Sequence, residues 1–396
     1  MDKIRNKELD NFKKQLNIIR TTLDSLKNNI KKDTKKEKEL IDKLDKNNIK
    51  YSNTFVIEYS LMNPGLEYDN LIKILEGYGM VKSNNPMQNH LFGIIDYKFY
   101  NSEFYLLNGL QFIDSIKDKY SLYLNLQLHF PEHYYKTYPH SFLLTANTKW
   151  TDIQKKPDNV FIARPINSDQ GKDIVKVWNN DTLDKAKELL YINKYVNGIS
   201  LTEYIINPLL YNGRKMHLRA YMAFTLINNE FKTYLLDVAK IFIAKNKYEN
   251  EDWNNNDIHD THFTNSGISM NFPDVINEDD KFTPKITKKE ADIIIENIKE
   301  CIYHISKIAV SNIYNYSNSK NSYEVFGIDV LVKDDLSVFI IEINAKFAGY
   351  KSATTIFERY FNWINEIVIK PCLFPNLETI KTSATTPIYS TKFRNY

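Results

Sequence analysis

Near the C-terminal end, two apolar runs flank a short polar break, and this pattern restricts the fold more than any other part of the chain. Val325-Phe326-Gly327-Ile328-Asp329-Val330-Leu331-Val332 comes first, Lys333-Asp334-Asp335-Leu336-Ser337 interrupts, and Val338-Phe339-Ile340-Ile341-Glu342-Ile343-Asn344-Ala345 follows. Runs of this kind predict two β-strands joined as a hairpin. Side chains on a strand alternate between faces, so Glu342 and Asn344 point the same way. A loop at Asp334 to Ser337 sets Asp329 opposite Glu342. Three oxygen donors then meet on one face of an otherwise apolar sheet. Buried carboxylates are costly unless something positive compensates them. Hard oxygen ligands suit Mg²⁺, which takes one or two carboxylates and completes its shell with substrate phosphates. The hairpin therefore predicts a metal and nucleotide site at Asp329, Glu342 and Asn344.

The rest of the chain sets limits around that site. Its 396 residues predict two or three domains. Residues 1–50 hold 15 Lys and Arg against 9 Asp and Glu, while the remainder holds 37 against 40. The basic character belongs to the N-terminal arm, which argues against nucleic acid as a partner of the body. Cys301 and Cys372 are too few for a disulfide framework and predict a reduced, cytoplasmic protein. No apolar run is long enough to span a bilayer, which takes roughly 18 to 20 residues, so no membrane partner is expected.

Residues 4–46 carry a heptad pattern, with Leu9, Leu16, Leu23 and Ile30 at one position and Phe12, Ile19 and Leu26 at the other. This predicts a long helix that docks on the body or self-associates as a coiled coil. Thr54 to Tyr59 reads as a strand, Tyr68 to Tyr78 as a helix, and Leu106 to Leu128 as mostly helical. Val160 to Arg164 and Ile174 to Val177 read as strands around a polar turn. In that turn, which holds Gln170, Gly171 and Lys172, backbone N–H groups and the Lys could meet phosphate oxygens. Leu189 to Val196 reads as another strand. Lys215, His217 and Arg219 alternate along an apolar strand and fall on one face. Three basic groups there repel unless an anion sits among them, which predicts a site for phosphate or an acyl phosphate. Thr287 to Ala309 reads as an amphipathic helix whose apolar stripe is core. Residues 376–396 form a tail with no pattern of their own.

Four segments in order resemble the tubulin tyrosine ligase-like family of ATP-grasp enzymes. They are Pro208-Leu209-Leu210 with Gly213-Arg214-Lys215 and Leu218-Arg219, then His262-Phe263-Thr264-Asn265, Phe326-Gly327-Ile328-Asp329, and Ile341-Glu342-Ile343-Asn344-Ala345. The resemblance spans roughly residues 51–370. It implies an α/β ATP-grasp fold of three small subdomains, 51–145, 146–206 and 207–375, behind the helical arm of 1–50. It also implies an ATP- and Mg²⁺-dependent ligase that joins a free amino acid to a protein carboxylate through an acyl phosphate, with tubulin or another acidic protein as substrate. In that scheme Arg219 and Lys215 hold phosphate. Lys194, Tyr195 and Val196 line the adenine hinge, Asn265 lies in a substrate loop, and Lys240 and Lys119 match further basic positions. Three residues depart from the family pattern. Arg164 replaces a Lys before Pro165, Asp173 replaces a loop glycine, and His217 replaces an Asp beside the metal or the amine. These departures motivate an alternative, a catalytically weak ATP-grasp binding protein acting through its coiled coil. A ligase for a small metabolite or peptide is a third reading.

Overall fold

The computed structural model describes residues 51–57, 68–85, 88–94, 102–111, 113–153, 160–166, 174–192, 198–244, 246–248, 282–315, 319–345 and 354–392. The heptad arm, the turn with Gln170, Gly171 and Lys172, the hinge residues Lys194, Tyr195 and Val196, and the loop with Asn265 lie outside the described residues.

Two sheets organise the chain. The large one contains β1 (Ser52–Ile57), β2 (Val81–Lys82), β3 (His90–Ile94) and β4 (Phe104–Asn108). The small one contains β5 (Ser141–Leu144), β6 (Phe161–Pro165), β7 (Val175–Val177) and β8 (Ile199–Glu203), in the order β5-β8-β6-β7 and antiparallel throughout. The chain then returns to the large sheet with β9 (Leu210–Tyr211), β10 (Arg214–Ile227), β11 (Glu230–Leu235), β12 (Lys240–Ile243), β13 (Phe282–Thr283), β14 (Ser319–Val332), β15 (Val338–Ala345) and β16 (Tyr389–Lys392). Strands from both ends of the sequence thus share one sheet, because β4 pairs in parallel with the first part of β14.

Strand alternation explains the layers. Met216, Leu218, Ala220, Met222, Phe224 and Leu226 of β10 join one core with Phe326, Ile328, Val330 and Val332 of β14. The helix Lys288–Ala309 covers that face through Ala291, Ile294, Ile298, Ile302 and Ile305. Its start is fixed by a capping box between Thr287 and Glu290. The opposite face divides. Tyr221, Ala223 and Val325 enter a second core with the C-terminal helix residues Tyr360, Phe361 and Trp363, whereas Lys215, His217, Arg219 and Asp329 do not. Asn228 and Asn229, at φ 50 and 59, form the tight turn between β10 and β11, a conformation Asn tolerates well.

Several elements differ from the sequence expectation. Leu106 and Leu107 lie in β4, and helix begins only at Asp114–Lys117 and Lys119–His129. The apolar pair in Phe104–Asn108 is short enough for either structure, and pairing with β3 and β14 decides it. Leu189–Tyr191 is a 3₁₀ turn that finishes the helix Asn180–Glu188 rather than the start of a strand. The unpatterned tail also contributes structure. β16 pairs with β11, and Tyr389 packs on Phe231 and Tyr303. Both cysteines are buried.

Candidate functional site

The hairpin of β14 and β15 places Asp329 directly opposite Glu342, the register expected from sequence. The route to it is different. Val332 pairs with Val338, so the loop is Lys333–Ser337, and a β-bulge between Asp329 and Val330 restores the register. Val330 faces Ile340 and Asp329 faces Glu342, which leaves Ile341 as the extra residue. The core confirms the switch of faces. Val338 and Ile340 are core residues, and the next is Ile343. Without the bulge, Glu342 would point into that core.

Pairing continues across β10 and β12. Arg219 lies opposite Asp329 on one side and opposite Lys240 on the other. Lys240, Arg219, Asp329 and Glu342 therefore form one cross-strand row over four strands. Arg219 is 8% exposed and grips Asp329 with two bonds, Nε to Oδ1 at 2.5 Å and Nη2 to Oδ2 at 3.0 Å. Such a forked pair is among the stronger polar contacts available to a protein. Gly327 makes room for it. A Cβ on Gly327 would lie 3.0 Å from Arg219 Cδ and 3.2 Å from Nη1. Asn344 lies opposite Gly327 and is half-buried.

Glu342 has its own cation. Lys119, from the helix Lys119–His129, lies 3.0 Å from Glu342 Oε1 and is 7% exposed. Asp118 caps that helix by accepting from the amides of Tyr120 and Ser121, which fixes where Lys119 begins.

Lys215 and His217 occupy the same face of β10 as Arg219. Lys215 is 6% exposed, donates to Tyr204 Oη at 2.9 Å, and lies over the Tyr204 ring at 4.0 Å. Burial lowers its pKa from 10.5 to about 7. His217 lies opposite Phe242 and stacks on it, with ring centres 5.0 Å apart and planes at 13°. Its Nε2 is 3.7 Å from Asp329 Oδ1. Burial lowers the His217 pKa, the Asp329 charge opposes this, and the charges of Arg219 and Lys215 reinforce it.

Tyr204, Lys215, His217, Asp329 and Glu342 border a cleft of about 130 Å³ between the two sheets. Ile162, Arg164, Lys176 and Thr202 line it from the small sheet, and Lys215, His217, Asp329, Leu331, Ile341 and Glu342 from the large one. Lys176 and Thr202 are both opposite Ile162, which puts them on the cleft-facing side of their sheet. Arg164 is 7% exposed, and its Nη2 donates to Tyr138 Oη and to the Ile341 carbonyl, each at 3.2 Å.

The structure thus brings together Arg164, Lys119, Lys215, His217, Arg219, Lys240, Asp329, Glu342 and Asn344. Sequence reasoning missed Lys176, Tyr204, Phe242 and Tyr138. Lys176 had a signal, since it is the charged residue in the apolar run Ile174 to Val177. The aromatic residues had none, because each sits among other aromatics in a chain with 27 Tyr and 22 Phe.

Oxygen donors on two adjoining strands are of the type a divalent cation takes, and Asp329, Glu342 and Asn344 are the residues that could hold one here. Among the described residues no group of three or more His, Cys, Asp or Glu is placed to hold a metal ion by itself. A two-carboxylate site of this kind fits a cation that shares its coordination with phosphate and water.

Comparison with known proteins gives the family and the fold. The chain is 27% identical over 278 residues to "Tubulin glycylase 3C" of Tetrahymena thermophila, covering 64% of this chain and 25% of that protein. It is 27% identical over 210 residues to "Probable alpha-tubulin polyglutamylase Ttll1" of the same organism, covering 49% of each. The chain therefore spans about a quarter and about half of these relatives' lengths. In structure it is similar to the C-terminal domain of K. lactis Pby1, described as "an ATP-grasp enzyme interacting with the mRNA decapping enzyme Dcp2". The TM-score is 0.63 at 18% identity, over 86% of this chain and 99% of that one. That likeness gives the fold as ATP-grasp. The family model for the "Tubulin-tyrosine ligase family" matches residues 110–376, a stretch that holds the whole charge row and both sheet faces of the cleft, and the chain belongs to that family.

Proposed function

We propose that this protein is an ATP-dependent ligase that joins an amino acid to a carboxylate of a protein substrate. The observation that carries the reading is the cross-strand row Lys240, Arg219, Asp329 and Glu342, whose two carboxylates line a cleft between two sheets. Such a row supplies cations for phosphate oxygens and carboxylates for a divalent cation at one place. The family and its relatives, named for glycylation and polyglutamylation of tubulin, support the same chemistry and make tubulin the first substrate to test.

In the proposed reaction an oxygen of the acceptor carboxylate attacks the γ-phosphorus of ATP. The bond from that phosphorus to the β–γ bridging oxygen breaks, ADP leaves, and an acyl phosphate forms. The amine of the incoming amino acid attacks the acyl carbon, phosphate leaves with the C–O bonding pair, and the amine loses a proton to form the amide. Lys215, Lys240 and Arg219 serve as electrostatic and aligning groups for the phosphates, and no nucleophilic side chain is required. A bound Mg²⁺ would be held by Asp329, Glu342 and Asn344 and would offset charge on the phosphates. Burial favours a neutral His217, and its ring is held by Phe242 at the position where the family has an acidic residue.

The test is ATP- and Mg²⁺-dependent incorporation of labelled glycine, glutamate and tyrosine into purified tubulin. Transfer of one of them by the wild type, lost in Glu342→Gln, is the expected result. Nucleotide binding with no transfer of any amino acid would overturn the ligase reading. It would favour the second one, a binding protein, which draws on the Dcp2 interaction described for Pby1.

A further inference from the structure

We propose that Tyr138 is a positioning residue for the metal carboxylates, acting with Arg164 to hold the bulge that turns Glu342 toward Asp329. The inference rests on the metal and nucleotide reading given above. It starts from the extra residue Ile341. In a bulge the extra residue drops out of the regular ladder, and its carbonyl needs another partner. Here that carbonyl accepts from Tyr138 Oη at 3.3 Å and from Arg164 Nη2 at 3.2 Å. The third side of the triangle is the bond from Arg164 Nη2 to Tyr138 Oη at 3.2 Å.

Three separate segments meet in this triangle. Ile341 belongs to β15, Arg164 to β6 of the small sheet, and Tyr138 to the turn between Tyr134–Thr137 and β5. Tyr138 is fully buried in the core that also contains Ile340 and Ile343, the two residues on either side of the bulge. Its ring fixes the hydroxyl, and the hydroxyl fixes the bulge carbonyl. Burial raises the Tyr138 pKa, with the Arg164 charge opposing, so the hydroxyl stays a donor to Ile341.

Arg164 divides its work. Both N–H groups of Nη2 are used on Tyr138 and Ile341, while the buried Nε has no hydrogen-bond partner among the described residues and the side chain lines the cleft. An anion in the cleft that met Arg164 would therefore touch the same guanidinium that holds the bulge. Lysine at this position would offer a single ammonium in place of the planar fork. Phosphate contact on the small sheet and carboxylate placement on the large sheet are linked through one side chain.

The experiment compares wild type with Tyr138→Phe, which keeps the ring and removes one hydroxyl, and with Arg164→Met. In the ligand-free proteins, amide hydrogen exchange is followed over 338–345 and, as a control, over the β10–β11 ladder. Loss of one buried donor should speed exchange at 338–345 by about fivefold to tenfold and leave the control unchanged. Calorimetry then measures ATP affinity with and without Mg²⁺. Tyr138→Phe should reduce the Mg²⁺-dependent gain in affinity by about threefold to tenfold and leave metal-free ATP binding as in wild type. The two variants combined should be less than additive, because they act on one carbonyl. Unchanged exchange at 338–345, or equal loss of ATP affinity with and without Mg²⁺, would overturn the proposal. Failure of the wild type to bind ATP would instead strike the functional reading, and the exchange data would still decide the role of Tyr138.

Discussion

Lys215 offers a direct measure of what this site costs the fold. Its pKa falls from 10.5 to about 7 because the ammonium is buried, with the Tyr204 hydroxyl and ring as its neighbours. At neutral pH, a separation of this size means that folding is penalised by about 4 kcal/mol relative to a neutral side chain of the same shape. Lys215→Met removes the charge and keeps most of the length. It also forfeits the bond to Tyr204, worth about 1 kcal/mol, and a cation–π contact of similar size. The variant should therefore be more stable than wild type at pH 7 by about 2 kcal/mol. The sign with pH follows from proton counting. Between about pH 7 and 10.5 the unfolded chain holds a proton on Lys215 that the folded chain does not. Wild-type stability relative to the variant must then rise across that window, by at most about 1.4 kcal/mol per pH unit. Below pH 7 both states are protonated and the gap is flat. Urea unfolding of both proteins from pH 6 to 9.5 reads this directly. Nucleotide should reverse the ranking, since a phosphate beside the ammonium restores its charge. Mg·ATP affinity should fall in the variant by about tenfold to a hundredfold, and wild-type binding near pH 8 should take up a proton. A variant less stable than wild type at pH 7, with a gap that does not change with pH, would refute the reasoning.

Two further outcomes follow from other contacts. Gly327→Ala places a methyl 3.0 Å from Arg219 Cδ, so Arg219 should shift by a few tenths of an ångström and its fork on Asp329 should loosen; Mg·ATP affinity should drop by about tenfold while stability falls by about 1 kcal/mol, as calorimetry and melting curves can show. His90 is fully buried, shares a hydrogen bond between Nδ1 and the Thr54 hydroxyl, and has Nε2 3.0 Å from the Asn85 carbonyl. Burial lowers its pKa below 6.5, so the unfolded chain takes up the proton first and stability is lost as pH falls below 6.5. Thermal melts at pH 5 and pH 7 should show a smaller acid loss in His90→Gln than in wild type.

How far the sequence could be read depended on whether the deciding interactions were local. Alternation along β10 is local, and it put Lys215, His217 and Arg219 on one face before any pairing was known; that Asp329 of β14 shares this face follows only from the pairing of Arg219 with Asp329. The opposition of Asp329 and Glu342 was also legible, although two errors cancelled. The loop is a residue longer at its start than expected, and the bulge at Ile341 restores the register. A trace of that bulge exists in the sequence, where the core positions run Val338, Ile340 and then Ile343 instead of continuing by twos. Long-range partners left no such trace. Lys119 meets Glu342, and Tyr138 meets Ile341, across about two hundred residues of chain, and neither has a periodic signal. Leu106 and Leu107 could have been helix or strand until β3 and β14 supplied neighbours.

On the proposed reading, the charges would make metal and nucleotide binding depend on each other. Along the cleft wall, Arg164, Lys176 and Lys215 face Glu203, Asp329 and Glu342. The wall is thus close to balanced, with burial holding His217 neutral. Lys119 is paired with Glu342 and Arg219 with Asp329, and Lys240 lies next to Arg219 in the cross-strand row. A bare divalent cation arriving here would compete with Arg219 for Asp329 and with Lys119 for Glu342, and would leave those cations buried without partners. That is expensive in a site of low exposure. A cation arriving with a triphosphate faces a different balance, because the phosphate oxygens take over the released cations. Metal affinity should therefore depend on nucleotide, and nucleotide affinity on metal, by the same factor. The forked Arg219 pair and the Lys119 pair would build that coupling into the fold, and the bulge at Ile341 sets Glu342 opposite Asp329.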